Sequence, residues 1–246
     1  MSGAAPAIEV RDLRKDFGRF QAVRGVSFDV AGGEIVGFLG PNGAGKTTTI
    51  KMITGLLRIT SGTVRIAGLD IREHAAAAKG KMGYMSQKFS LYPLLTALEN
   101  IDFFAGISGL TLEERRRHAA RIQEMVPRAV LRQKVQDIPP GIRQQVAMFV
   151  CLMPDPGIIL LDEPTSGVDP EARRLFWNDI YGLKTQGKTL LVSTHNLDEA
   201  EYCDRILILH DGELIAAGEL AELLRQKGKA DIEELFKDAI HDHGQN

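Results

Sequence analysis

Three clusters of residues carry the chemistry that this sequence can offer. The first is Gly40-Pro41-Asn42-Gly43-Ala44-Gly45-Lys46-Thr47, which fits G-x-x-x-x-G-K-[ST], a loop that wraps nucleotide phosphates. Its glycines let backbone N–H groups turn inward and approach an anion closely. Lys46 can reach β- and γ-phosphates, and the Thr47 hydroxyl can ligate Mg²⁺. The second cluster is Asp162-Glu163, at the end of the apolar run Gly157–Leu161. Two acids there are costly unless they meet a cation or an activated water. The third is Thr194-His195, at the end of another apolar run. Hydrolysis of a phosphoanhydride needs a phosphate cradle, a Mg²⁺ anchor, an oriented water and stabilisation of developing charge. The three clusters, with the polar strand end at Gln87, supply such a set.

The elements around them read as a frame for that set. Ile35–Leu39 is a buried strand feeding the loop, and a helix starts inside the loop. Residues 7–13 alternate apolar and polar and predict a half-exposed strand. Lys15–Arg19 reads as a turn, and 22–30 as a second strand, so a small antiparallel layer precedes the loop. Phe17, in that turn, can stack on a nucleobase or sit in the core at a strand end. Strands are expected at 63–67 and 82–87, and an Ala-rich helix at 73–79. Gln87 taken alone is an ordinary polar side chain. From about 88 to 154 the texture turns helical. Thr111-Leu112-Glu113-Glu114 is a capping-box start, and the basic run Arg115, Arg116, Arg117 and Arg121 reads as a solvated helix face. Beyond 157 come two strands buried on both faces. Pro170 opens a helix to about Thr185, and Asn196 caps the helix 197–202. A hairpin turns at Asp211-Gly212, and amphipathic helices occupy 219–227 and 231–241.

Composition narrows the class. The 246 residues suffice for a large core, and 44% hydrophobic with 25% charged residues is ordinary for a globular protein. A net charge of −2 gives no argument for nucleic acid or an anionic membrane. No apolar run approaches 18 residues, so no bilayer span is expected. Cys151 and Cys203 lack metal-ligand spacing and read as reduced thiols of a cytosolic protein. Residues 1–7 have the character of a flexible leader and not of a signal peptide.

Order, spacing and flanking residues together resemble the nucleotide-binding subunit of ATP-binding-cassette (ABC) transporters over residues 7–240. The most specific stretches are Gly40–Thr47, Leu160–Asp169 and Ser193–Glu201. The resemblance implies an α/β, P-loop NTPase core with the N-terminal antiparallel layer (7–87 and 155–218). It also implies an inserted helical subdomain (88–154) and C-terminal helices (219–240). It implies ATP and Mg²⁺ as ligands. Phe17 would stack on adenine, Gly40 to Thr48 would wrap the phosphates, and Thr47, Gln87 and Asp162 would form the Mg²⁺ shell, directly or through water. Glu163 would polarise the attacking water, with His195 on the γ-phosphate. Asp169 would lie in a loop crossing to a second cassette, and Lys88–Thr96 would face membrane-spanning partner subunits. Such a subunit sits in the cytoplasm, peripheral on the inner face of the membrane.

One departure stands out. Where the family expects Leu-Ser-Gly-Gly-Gln before a basic residue, this chain reads Ile138-Pro139-Pro140-Gly141-Ile142-Arg143. The serine hydroxyl and one backbone N–H are lost from a motif that touches the γ-phosphate held by the other subunit. Each lost charge-assisted hydrogen bond costs about 1.5–3 kcal/mol. The expectation is an asymmetric dimer with a different cassette, ahead of a homodimer. The wording around Leu91-Tyr92-Pro93 and Asp198–Arg205 resembles cassettes of drug-efflux or ABC-2 export systems, and the short stretch after 218 has no room for an added regulatory domain. The competing readings are a non-transport ABC ATPase, which usually carries long coiled coils or paired cassettes, and a mainly regulatory nucleotide-binding subunit.

Overall fold

A computed structural model describes residues 5–87 and 91–244. In chain order its elements are β1 (Ile8–Phe17), β2 (Phe20–Val30), β3 (Ile35–Leu39), α1 (Lys46–Ile53), β4 (Ser61–Ile66), β5 (Leu69–Asp70), α2 (Ala75–Lys79) and β6 (Met82–Met85). There follow α3 (Ala97–Ile107), α4 (Leu112–Met125), α5 (Arg128–Leu131), α6 (Pro140–Leu152), β7 (Ile158–Asp162), α7 (Pro170–Thr185) and β8 (Thr189–Thr194). The chain closes with β9 (Arg205–His210), β10 (Glu213–Gly218), α8 (Leu220–Lys227) and α9 (Ile232–Gly244).

Among the described residues the strands form two sheets. One has the order β10-β9-β3-β8-β7-β6, and the other β2-β1-β4-β5. In the first, β3, β6, β7, β8 and β9 run parallel, while β10 returns antiparallel through the turn at Asp211 and Gly212. Every residue of β3, β7 and β8 is buried, as strands covered on both faces must be. The register brings their ends level: Leu39 lies opposite Thr194, and Asp162 opposite Ser193. The phosphate loop, the acid pair and the histidine therefore leave the carboxyl ends of three adjacent parallel strands, where ligands of parallel sheets bind.

The second sheet is antiparallel throughout and packs its apolar face, with α1, onto the first through Val10, Leu13, Phe28, Phe38, Ile50 and Leu160. It differs from the sequence expectation in two ways. The segment 15–17 is strand, not turn, and only Gly18 and Arg19 reverse the chain. Register shifts around Asp12, whose φ is +42°, break the alternation that would have revealed the longer strand. Also, β4 and β5, which come after the loop, complete this layer.

The opposite face of the parallel sheet is covered by α6 and α7 through Met148, Phe176, Trp177 and Ile180. A separate apolar cluster joins α3, α4, α5 and α6 through Ile101, Ile122, Leu131 and Phe149. Capping boxes start both α3 and α4: Thr96 with Glu99, and Thr111 with Glu114. Asp169 caps α7 ahead of Pro170. The segment 197–202, expected as a helix, is a 3₁₀ turn capped by Asn196. Both cysteines are free, and burial pushes the Cys151 thiol up to about 12. No described helix is long and apolar enough to cross a membrane.

Ile180 is fully buried beside Trp177, the only tryptophan of the chain. Ile180→Ala is expected to cost about 2–5 kcal/mol of stability. Trp177 fluorescence during denaturant unfolding reads this as a lower midpoint with an unchanged slope.

Candidate functional site

Backbone geometry shapes the phosphate loop first. A Cβ on Gly40 would overlap the Leu209 carbonyl oxygen of β9, and one on Gly45 would come within 2.7 Å of the Ala22 carbonyl oxygen of β2. These two glycines let the loop lie against its neighbours. Gly43 is different: its φ is +87°, the space beside it is open, and it lines a cleft instead of packing. Ala44 is buried, and its carbonyl accepts from Gly212 N.

Lys46 begins α1 but reaches back under the loop. Its ammonium donates to the carbonyls of Gly40 (2.6 Å) and Pro41 (3.1 Å) and lies 3.3 Å from Glu163 Oε1. The two side chains are only 3% and 6% exposed. Burial pulls the lysine below its ordinary range, and Glu163 and then Asp162 offset part of that pull.

Glu163 joins everything else. Its Oε2 accepts from Gln87 Nε2 at 2.9 Å and lies 3.1 Å from His195 Nδ1. Its backbone sits at φ +48°, a left-handed conformation costly for a side chain of this size. Two hydrogen bonds to Ser193 hold it there: Glu163 N donates to the Ser193 carbonyl (3.1 Å) and to its Oγ (3.0 Å). Ser193 Oγ in turn donates to Asp162 Oδ1 (2.8 Å), which also accepts from Thr47 Oγ1 (2.9 Å). One hydroxyl thus sets both members of the acid pair.

In front of these groups lies a cleft of about 340 Å³. Phe17, Asn42, Gly43, Gly45, Lys46, Thr47, Thr48, Gln87 and Glu163 line it, so most residues singled out in the sequence converge here. Gly40 and Ala44 are buried behind the loop, and Pro41 is exposed with its carbonyl turned to Lys46. Asp162 and His195 reach the cleft through Thr47 and Glu163. Phe17, half exposed at the mouth, is not the core residue that its other reading allowed. Lys15 Nζ lies 4.9 Å from the Phe17 ring centroid.

Sequence reasoning assigned no role to Phe20, Ser193 or Tyr84. Phe20 pairs with Phe17 across the hairpin and also lines the cleft. The Tyr84 hydroxyl is buried, and burial with the neighbouring Asp162 charge pushes its pKa up. The available signal was position: Phe20 opens β2, and Tyr84 and Ser193 each stand one residue before the end of an apolar strand, β6 and β8. At the family's second phosphate-contacting motif, Pro139 precedes α6 and Pro140 is its first residue, so the prolines are accommodated without breaking the helix.

The family model described as "ABC transporter" matches residues 23–166. The chain belongs to the ABC transporter family. The probable multidrug ABC transporter ATP-binding protein YbhF of Escherichia coli is 44% identical over 96% of this chain and 42% of its own length. This cassette therefore spans less than half of that relative. The linearmycin resistance ATP-binding protein LnrL of Bacillus subtilis is 36% identical over 96% of the cassette and 76% of its own length. The dimeric ATP-binding cassette MJ0796, solved in a post-hydrolysis state with ADP and phosphate, superposes with a TM-score of 0.77, at 30% identity, over 87% of this chain and 98% of that one. The observed architecture is the P-loop ABC ATPase fold that the motifs imply.

The packing gives a paired test of the loop. Gly40→Ala is expected to lose about 1–3 kcal/mol by overpacking against β9. It should also weaken nucleotide binding, measured with a fluorescent ATP analogue. Gly157→Ala, where a Cβ meets nothing within 4 Å, should stay within about 0.5 kcal/mol of the parent and bind normally.

Proposed function

We propose that this cassette binds and hydrolyses ATP to power export through separate membrane-spanning subunits. The observation that carries the proposal is the Glu163 carboxylate, held between Lys46, Gln87 and His195 at the floor of the cleft. An acceptor so placed can take the proton of a water attacking a γ-phosphate lying along the loop. Lys46 and the open amides around Gly43 bind the β- and γ-phosphates, and Thr48 extends the cradle. Phe17 stacks on the base. His195 fixes the Glu163 carboxylate and meets the γ-phosphate.

The donor set also fits Mg²⁺. No group of three or more His, Cys, Asp or Glu among the described residues forms a dedicated cage. Mg²⁺ is usually bound by one or two carboxylates, retained waters and phosphate oxygens instead. Thr47, Asp162 and Gln87 would hold it, directly or through water. Bound there, the ion would neutralise charge on the phosphates.

Two surfaces support partners. Tyr92, Leu94, Phe103 and Ile107 are exposed around the start and outer face of α3, next to a groove of about 460 Å³ between Tyr84, Phe104 and Val150. We assign this apolar face to the membrane-spanning partner. Lys88, the start of the segment expected there, lies with residues 89 and 90 outside the described residues. Asn100 is fully buried and holds the rest of that segment through Tyr92 N, Tyr92 O and Thr96 O. The helical subdomain (88–154) that carries this face is read as a unit distinct from the core (7–87 and 155–218). The names of the relatives, a probable multidrug transporter and a resistance protein, favour export. The cassette then works in the cytoplasm, on the inner face of the membrane.

The second surface, around Pro139 and Asp169, faces another cassette. The prolines favour a different cassette as partner, one that supplies an intact motif to this chain's loop.

Two substitutions test these roles. Glu163→Gln in the chain co-purified with its membrane partners should keep ATP binding and lower turnover by about 10²–10⁴-fold. Unchanged turnover removes Glu163 from the base role. Pro139→Ser with Pro140→Gly should raise turnover at the site that this motif completes by about tenfold or more, and no gain overturns the impaired-motif reading.

A further inference from the structure

Glu199 lies four residues beyond His195, in the 3₁₀ turn after β8, and its side chain is 1% exposed. It does not touch the cleft. Instead its Oε1 accepts from Thr165 Oγ1 at 2.7 Å and lies 3.5 Å from Arg173 Nε. Thr165 follows Glu163 by two residues, and Arg173 stands in the first turn of α7, whose cap is Asp169. A carboxylate from the histidine's loop is thus buried inside the loop of the acid pair.

The arrangement is not what stability alone would select. Glu199 Oε2 and Arg173 Nε have no hydrogen-bond partner among the described residues. A buried ion pair with spare, unsatisfied atoms gains little over an apolar pair of the same size. What it does fix is register. The loops after β7 and β8 are tied on one side of the site, where Glu163 N meets Ser193. Glu199 supplies a second tie on the other side of His195. Between the two ties, Glu163 and His195 are brought to 3.1 Å. Arg173 extends the second tie to the helix that starts at Asp169, and Ala172, its neighbour, packs directly on Gly141 of α6.

We infer that Glu199 is a positioning residue for ATP hydrolysis: through Thr165 and Arg173 it locks the loop of His195 to the loop of Glu163. This rests on the hydrolytic role proposed above. By the same contacts, a displacement of the Asp169 loop is transmitted to His195, so engagement of a second cassette sets the register of the histidine.

The test is a double-mutant cycle on ATP turnover, in the chain co-purified with its membrane partners and measured above the level left by Glu163→Gln. Glu199→Gln keeps the shape of the side chain and removes its charge. It should lower kcat of the folded protein about tenfold while KM for ATP moves less than about twofold, whatever it does to the thermal midpoint. In a His195→Ala background the same substitution should cause no further loss, because Glu199 acts through that histidine. Arg173→Gln, made from the more exposed side of the pair, should show the same pattern and serves if Glu199→Gln does not fold. An unchanged kcat overturns the inference, as does a loss that multiplies with His195→Ala. So does a fall in thermal midpoint with normal turnover of the folded fraction, which marks a purely structural pair. Absence of turnover in the parent complex overturns the hydrolytic reading and this inference together. Turnover that depends on Glu163 but not on Glu199 overturns this inference alone.

Discussion

The site depends on burying an ammonium and a carboxylate together at the end of a parallel sheet. Lys46 and Glu163 are almost fully withdrawn from water and lie 3.3 Å apart. Each alone would be costly there, and removing one partner of a buried pair typically costs 3–5 kcal/mol, according to measurements on other proteins. The pair is only partly compensated, since burial still pulls the lysine below its normal range despite two acids beside it. An ammonium in that condition gains from a polyphosphate, which brings several negative charges to the loop. The same imbalance that taxes the fold prepares the site for its ligand.

Holding the pair requires more than the two residues. Glu163 occupies a left-handed backbone conformation that costs of order 1–3 kcal/mol and persists only where its surroundings over-determine it. Ser193 provides that, with its carbonyl and its hydroxyl on one amide. The hydroxyl also orients Asp162, and Asp162 orients Thr47. A chain of short contacts therefore runs from β8 through β7 to the first turn of α1. It can exist only because the parallel register sets Ser193 against Asp162 and Leu39 against Thr194.

Much of this was legible in the sequence, for identifiable reasons. The loop 40–47 is contiguous, and its glycines do steric work that no other residue can do. The capping box at Thr111 and the proline at 170 are local rules that the structure obeys. What escaped was non-local or disguised. The bulge near Asp12 hid the length of β1, and joining β4 and β5 to the N-terminal layer needed pairings across some fifty residues. The strain at Glu163 had no signal, because a glutamate does not advertise a positive φ as glycine does. Ser193 looked like the last polar residue of a strand, and only its opposition to Asp162 gives it a task. Phe17 had two readings that local pattern could not separate, and its half-exposed place at the mouth of the cleft excludes the core one.

The proposal that the proline variant before α6 keeps part of its motif's work and loses the rest has a physical basis at the helix start. Pro140 supplies no N–H and Pro139 no hydroxyl, yet α6 starts cleanly and no side chain caps it. Its next two residues, Gly141 and Ile142, still have backbone N–H groups without intrahelical acceptors. The helix dipole is also intact and is worth about 0.3–1 kcal/mol to an anion near its end. Each hydrogen bond lost to the prolines is worth about 1.5–3 kcal/mol. On the impaired-motif reading proposed above, the losses outweigh what remains, and this helix end would attract an anion but grip it poorly. The loop at 40–47 carries no such defect. In a pair with a cassette whose own motif is whole, the site built on this chain's loop would be the stronger of the two, and the chain would contribute more to its own site than to its partner's.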